Sequence, residues 1–295
     1  MHSRNIPTRP AFASKVKVCD SLKVHKSMYD MTPINPVHPP AAYIGGKRML
    51  SKRLVALINK TPHTGYAEAF VGMGGVFFKR THKPKAETIN DISGDVTNLF
   101  RILQRHYPQF MDTLKYQLTS RREFERLAAS KASTLTDLER AARFIYLQKT
   151  AFGGKVTGQN FGISNERPAR FNISRLGPML EDVHERLSGV TIENLPWSEF
   201  IRRWDRKGML FYLDPPYWDN ETDYGAGVFS KDDFAQMAKQ LNTIKGTFIL
   251  SINDKPGVRK CFDRFNMEPV DVHYSVAGGK GTNAKELIIT NPLAG

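Results

Sequence analysis

The run Met209-Leu210-Phe211-Tyr212-Leu213, with Asp214-Pro215-Pro216-Tyr217 directly behind it, constrains this chain most. Five apolar residues without polar alternation read as a buried strand. A carboxylate, two prolines and an aromatic ring therefore fall at the strand's carboxyl end. That is the edge where open α/β sheets bind ligands. Two consecutive prolines remove two N–H donors and fix the backbone path, while their carbonyls stay free to accept. An Asp oxygen and a rigid carbonyl beside a flat ring can grip the exocyclic amino group of a planar base. The competing reading is a strand followed by a proline turn.

Strand and helix patterns alternate on both sides of this point. Upstream, Tyr43-Ile44-Gly45-Gly46-Lys47-Arg48 leads into a helical pattern over Met49–Asn59. A Gly-Gly pair ahead of a helix leaves backbone N–H groups open to an anion. Tyr66–Phe70 reads as a strand, Val71–Val76 as a Gly-rich turn, Val76–Arg80 as a helix start, and Thr88–Ile92 as a second strand. Downstream, strands are predicted over Val190–Glu193, Thr247–Ile252, Met267–His273 and Glu286–Thr290. Helices are predicted over Ser198–Trp204, Ser230–Thr243 and Lys255–Phe262.

Residues 95–188 break the alternation. The spacing predicts helices over Asp95–Tyr116, Arg121–Ala129, Leu138–Thr150 and Ser174–Leu187, the last capped by Ser174 and stopped at Gly189. Thr136 and Glu139 have capping-box spacing. Between Arg101 and Arg186 there are 15 Lys/Arg against 9 Asp/Glu, a net charge of +6 (15 − 9). The expected organisation is an extension over 1–40, an α/β body over 41–94 and 189–295, and a helical insert over 95–188. The extension holds six Lys/Arg, two Asp and prolines at 7, 10, 33, 36, 39 and 40, so it is expected to be poorly ordered or draped over the body.

Across all 295 residues, Lys plus Arg exceeds Asp plus Glu by 14 (43 − 29). A chain so basic attracts polyanions, chiefly nucleic acid. No apolar run approaches the roughly 18–20 residues that span a bilayer, and the N-terminus has no apolar segment of signal-peptide type. The expected setting is the cytoplasm, next to the nucleoid through DNA, without a membrane partner. The two cysteines, Cys19 and Cys261, have no metal-ligand spacing, so neither a zinc site nor a cysteine nucleophile is expected.

The turn Glu68-x-Phe70-x-Gly72-x-Gly74-Gly75 lets a ligand approach backbone with no Cβ between. It is neither the dinucleotide fingerprint nor a P-loop. Asp91, ending the next strand, is placed to accept both hydroxyls of a ribose. Glu68 could meet a ligand ammonium. A nucleoside carrying an amino acid, such as S-adenosylmethionine, suits both acids. Packing glycines and an exposed strand-end acid are the plainer alternatives.

Together these residues resemble the Dam-type DNA adenine-N6 methyltransferases, in the alpha order of motifs, over about 43–291. The Lys-containing Gly-Gly segment Tyr43–Arg48 comes first, then the Phe70–Gly74 loop, Asp91, the helical insert and Asp214–Tyr217. Ser251-Ile252-Asn253-Asp254 and Lys285–Asn291 are similar to later family segments. The resemblance implies a Rossmann-like, S-adenosylmethionine-dependent methyltransferase sheet of the α/β class, with an inserted helical target-recognition domain. It implies cofactor contacts from Tyr43, Gly46, Lys47, Glu68, Phe70, Gly72, Gly74, Gly75, Asp91, Trp197 and Asp214. Catalysis would fall to Asp214, Pro215, Pro216 and Tyr217, without metal or covalent intermediate. One departure stands out: Asn194-Leu195-Pro196-Trp197 lies where the family often has an Asp-Phe pair.

The implied substrate is adenine turned out of duplex DNA, and a cognate restriction endonuclease is an expected partner of a monomeric enzyme. Arg121, Arg122, Arg126, Lys149, Lys155, Arg167 and Arg170 are candidates for phosphates, and Asn160, in Gly158–Gly162, for a base edge. Two readings compete: transfer to cytosine N4, and a non-catalytic DNA-binding relative.

Overall fold

The sheet is built outward from β6 (Met209–Leu213), whose five residues are all buried. A computed structural model describes residues 31–43, 45, 47, 49–152, 155–156, 158–162, 168–225, 227–274 and 282–292. Beside β6 run β2 (Gly65–Glu68) and β7 (Thr247–Asn253), both parallel to it. Beyond β2 come β4 (Ala86–Asn90) and β5 (Thr191–Glu193), also parallel. Beyond β7, β9 (Thr282–Thr290) pairs antiparallel with β7 and with β8 (Asn266–Tyr274). The order across the sheet is β5-β4-β2-β6-β7-β9-β8. The chain therefore winds one way from β2, then returns to start the other half at β6. The boundary between β2 and β6 is the topological switch point, where a crevice opens beyond the strand ends.

Side chains alternate between two cores, as strand pleating requires. Tyr66, Leu210, Tyr212, Ile249 and Ile288 point to one. They share it with α1 (Ser51–Lys60), α2 (Gly94–Arg105), α3 (Tyr107–Leu114), α4 (Arg121–Ala129), α5 (Asp137–Thr150) and α6 (Ile173–Arg186). Ala67, Phe211, Leu213, Leu250, Ile252 and Leu287 point to the other, under α7 (Trp197–Trp204), α8 (Lys231–Leu241) and α9 (Pro256–Cys261). Each large apolar side chain so buried contributes about 1.5–3 kcal/mol. The predicted capping box of α5 forms, with reciprocal bonds between Thr136 and Glu139.

Several expectations need correction. The helix expected from Val76 is a single 3-10 turn, Phe77–Lys79. Phe77 and Phe78 point into the core, and α1 packs on that turn. The helix predicted over Asp95–Tyr116 is two helices, because Pro108 stands in the first turn of α3 and His106 leaves helical geometry. The cap of α6 is Asn172, not Ser174; its side chain accepts from the Ser174 and Arg175 N–H groups. Residues 1–30, like Cys19 among them, lie outside the described residues. The rest of the extension is ordered against the body: β1 (Thr32–Pro33) pairs with β3 (His82–Lys83), and Val37 N donates to Phe78 O at 2.8 Å.

A buried charge cluster supports β4. Glu87 accepts two bonds from Arg186, at 2.7 and 2.8 Å, and a further one from Arg80. The two guanidiniums also lie over aromatic rings, Arg80 on Tyr66 at 3.7 Å and Arg186 on Phe77 at 4.0 Å. Both faces of the pairing are thus desolvated, and the single carboxylate balances two cations.

Candidate active site

The glycine turn after Glu68, Asp91 and Asp214–Tyr217 all lie on turns that leave the carboxyl edge of the sheet. Register explains this. Glu68 pairs with Tyr212 and with Ile89, so the turns after β2, β4 and β6 begin side by side. Asp91 closes onto the glycine turn: its Oδ2 accepts from Gly72 N at 2.8 Å and its Oδ1 from Ser93 N at 2.9 Å. Gly72 and Gly74 have φ of +50° and +72°, which L side chains rarely adopt. A Cβ on Gly74 would also collide with the Phe78 ring. Asn90 ties the turn down from beneath, donating to Ala69 O and Leu195 O, both at 3.0 Å, and accepting from Leu195 N at 2.9 Å. Burial raises the Asp91 carboxyl to about 6, against the lowering by its two N–H donors.

The second half of the site is a knot of charges around Lys47. Its Nζ lies 3.0 Å from Asp214 Oδ1 and 3.1 Å from Glu286 Oε2, and donates to Tyr217 Oη at 2.8 Å. Nζ also stands 4.2 Å from the centroid of the Tyr217 ring. Tyr217 in turn donates to Glu286 Oε1 at 2.6 Å. The Lys47 and Glu286 side chains are each 1% exposed, whereas that of Asp214 is 19% exposed and so reachable from outside. Burial raises the Asp214 carboxyl to about 6 despite the opposing pull of Lys47, and Glu286 adds to the rise. Beneath it, Ser251 donates to Asp214 Oδ1 at 3.5 Å and shares a 2.8 Å bond with Tyr212. Asn253 clasps the chain just past Tyr217 through both Trp218 N, at 2.9 Å, and Trp218 O, at 3.0 Å.

Other predicted residues take different positions. Gly46 and Arg167 lie outside the described residues. Glu68 is buried, with Oε2 accepting from Tyr66 Oη at 2.7 Å; burial raises its carboxyl to about 8. An acid held this way is largely neutral near pH 7 and is committed to Tyr66. Trp197 is buried too, and its indole N–H donates to Asp233 at 3.1 Å. Tyr43 packs on the glycine turn, where a Cβ on Gly72 would meet its ring, and Phe70 meets Phe229 edge-on at 6.1 Å.

Within residues 95–188, Ala151 bridges Phe161 in an antiparallel pair. Phe152, Lys155, Asn160, Phe161 and Gly162 line a cavity of about 280 Å³ beside it. The Arg121 guanidinium lies 5.5 Å from the Phe161 ring and that of Arg170 5.9 Å from Phe152. Arg122 is exposed. Arg126 is held by a two-pronged bond to Glu123, at 2.8 and 2.6 Å, and Lys149 is partly buried, which lowers its pKa. No cluster of His, Cys, Asp and Glu suited to a metal ion occurs among the described residues.

Sequence reasoning gave no role to Glu286, Ser251, Asn253 or Asn90. Besides the likeness of Ser251–Asp254 and Lys285–Asn291 to family segments, the available signals were a lone Glu ahead of Leu287-Ile288-Ile289 and a lone Ser inside Ile249–Ile252. A polar residue in a strand buried on both sides needs a partner.

This sheet order, with a glycine turn and an acid at the ends of its first two strands, defines a Rossmann-like α/β methyltransferase, the class that works with S-adenosylmethionine. Comparison with known proteins narrows the class. Residues 43–276 match the D12 class N6 adenine-specific DNA methyltransferases, and the chain belongs to that family. Its substrate is thus DNA and its reaction methylation of adenine N6. It is similar to the type II methyltransferase M1.LlaDCHI of Lactococcus lactis subsp. cremoris, 24% identical over 275 residues that cover 86% of this chain and 95% of that one. It is similar also to the type II methyltransferase M.CviBI of Paramecium bursaria Chlorella virus NC1A, 23% identical over 260 residues, 86% of this chain and 99% of that one. Among solved structures it matches a ribosomal protein L11 methylase from Lactobacillus delbrueckii subsp. bulgaricus, with TM-score 0.35, 10% identity, and coverage of 83% and 78%. No described helix is long and apolar enough to cross a membrane.

Proposed function

We propose that the Asp214–Tyr217 segment receives an adenine turned out of duplex DNA, while the Phe70–Gly75 turn and Asp91 hold S-adenosylmethionine. The observation that carries this reading is the pairing of β2 with β6 at the switch point. It sets the turn after Glu68 and the acid after Leu213 next to each other. The donor set suits the cofactor: Asp91 is bonded to the glycine turn itself, so acid and bare backbone form one cradle for a ribose. Lys47 and Tyr43 border it. Trp197 and Glu68 support it from within the fold.

Bound there, the cofactor supplies an electrophilic methyl group. Asp214 and the Pro215 carbonyl accept the N–H bonds of the target amino group, which localises the nitrogen lone pair. Asp214, with its pKa near 6, is ionised at neutral pH and takes the proton that the nitrogen sheds. Pro216 fixes the path to Tyr217, whose ring stacks on the base. Such stacking contributes about 1–3 kcal/mol, which offsets much of the few kcal/mol needed to extrude the base.

Residues 95–188 serve as the target-recognition domain in this reading. Arg121, Arg122, Lys155 and Arg170 contact phosphates, and Asn160 faces a base edge. The likeness to type II methyltransferases supports a place beside a cognate endonuclease, with the enzyme working as a monomer.

The test is incubation with labelled S-adenosylmethionine and unmethylated duplex, followed by digestion to nucleosides. Label in N6-methyldeoxyadenosine is expected, and Asp214→Ala abolishes it while duplex binding persists. Transfer that survives Asp214→Ala removes the assignment.

A further inference from the structure

The ammonium of Lys47 has three protons, and Asp214, Tyr217 Oη and Glu286 engage all three. Its location has a second meaning. It sits on Asp214 Oδ1 and over the Tyr217 ring, at 3.0 and 4.2 Å. In the proposed pocket that acid accepts from the target amino group and that ring stacks on the base. A base that stacks on that ring and bonds to Oδ1 displaces Nζ from Asp214. An ammonium this deeply buried cannot simply be left without a counter-charge, since the desolvation penalty is several kcal/mol.

Glu286 provides the alternative partner. It reaches the site from β9, the strand antiparallel to β7, in register with Asn253. Its Oε2 is already 3.1 Å from Nζ, and its Oε1 is fixed by the Tyr217 hydroxyl. Lys47 therefore has one carboxylate that faces the target and one that does not. We propose that Glu286 is a positioning residue for methyl transfer: it retains Lys47 when the target amino group takes over Asp214, so that Lys47 is a placeholder which yields to the base. This rests on the assignment of Asp214 and Tyr217 to the target pocket.

Glu286→Gln keeps the size and a carbonyl for the Tyr217 hydroxyl but removes the counter-charge. Lys47 is then locked onto Asp214. The expected result is a kcat lower by roughly 100-fold, the scale of a misplaced reacting group, with melting temperature and duplex affinity close to the native values. Removing the competing cation in the same chain, Lys47→Met with Glu286→Gln, restores about tenfold of that loss. A purely structural pair would lose and regain melting temperature together with rate, because losing one partner strands a buried charge and losing both does not. Should Glu286→Gln fail to fold, the uncharged pair is compared with Lys47→Met alone and is expected to be no slower, since without Lys47 the buried Glu286 keeps only the Tyr217 hydroxyl, which a glutamine carbonyl also accepts.

A native rate in Glu286→Gln, a double variant no faster than Glu286→Gln, or a double variant slower than Lys47→Met overturns the proposal. Asp214→Ala in the same assay separates the two layers. If it is inactive while Glu286→Gln is native, only the role of Glu286 falls. If Asp214→Ala remains active, the pocket and the role of Glu286 fall together.

Discussion

Glu68 ends β2 and Asp214 directly follows the adjacent parallel strand β6; burial raises the Glu68 carboxyl, the Tyr66 bond and Arg80 pull it back, and the charge of Asp214 opposes that pull. A carboxyl near 8 in the folded chain and 4.5 when unfolded binds its proton more tightly in the native state. The native state therefore gains stability from it below about pH 4.5 and loses that gain as pH rises toward 8. Asp91 and Asp214, both raised to about 6, act in the same direction between about 4 and 6. The melting temperature of the ligand-free protein is expected to fall between pH 5 and pH 8 on account of these three acids. Glu68→Gln should flatten that fall. Thermal melts across the range decide it, and an unchanged pH slope in Glu68→Gln would count against the neutral acid.

Transfer itself depends on pH in the opposite sense. Asp214 must be ionised to accept from the amino group, and burial, opposed by Lys47 and helped by Glu286, puts its pKa near 6. Below that value kcat/KM on unmethylated duplex should drop about tenfold per pH step. A profile flat from pH 5 to 7.5 would show that some other group limits the reaction.

Glu87→Ala is the most damaging single change expected outside the site. It strips Arg80 and Arg186 of their only carboxylate among the described contacts, and both guanidiniums are buried. Losing one side of such a pairing costs about 3–5 kcal/mol. Urea unfolding gives the measurement, and a midpoint within error of native would mean that water reaches the cluster.

Duplex affinity should fall steeply with salt, with a log–log slope of about −0.9 for each phosphate neutralised. Lys155→Ala is expected to reduce that slope by about 1. Arg126→Ala should change it less, because Arg126 is held by Glu123, whose carboxyl it lowers to about 2. Equal effects of the two substitutions would place Arg126 on the DNA.

What could be read in the sequence follows burial. Met209–Leu213 is apolar throughout because both faces of β6 are covered, so the strand and the acid behind it were plain. The glycine turn and Asp91 could be read as the ends of two neighbouring strand patterns, which the bond from Gly72 N to Asp91 joins, although packing glycines gave the same pattern. Phe77 and Phe78 misled in the other direction: their apolar character belongs to the core, yet only one turn of helix forms there. Glu286 was opaque for a different reason. Whether a carboxylate survives inside a sheet depends on Lys47 and Tyr217, which come from remote parts of the chain.

That remoteness has a consequence for biosynthesis. Lys47 emerges early from the ribosome, whereas its counter-charges at 214 and 286 come late, and 286 belongs to β9, the final strand described. A chain clipped of that strand would leave Lys47 with Asp214 as its one remaining counter-charge in the knot. Proteolysis confined to the β8–β9 hairpin is therefore expected to silence transfer while leaving Asp214 and the glycine turn intact.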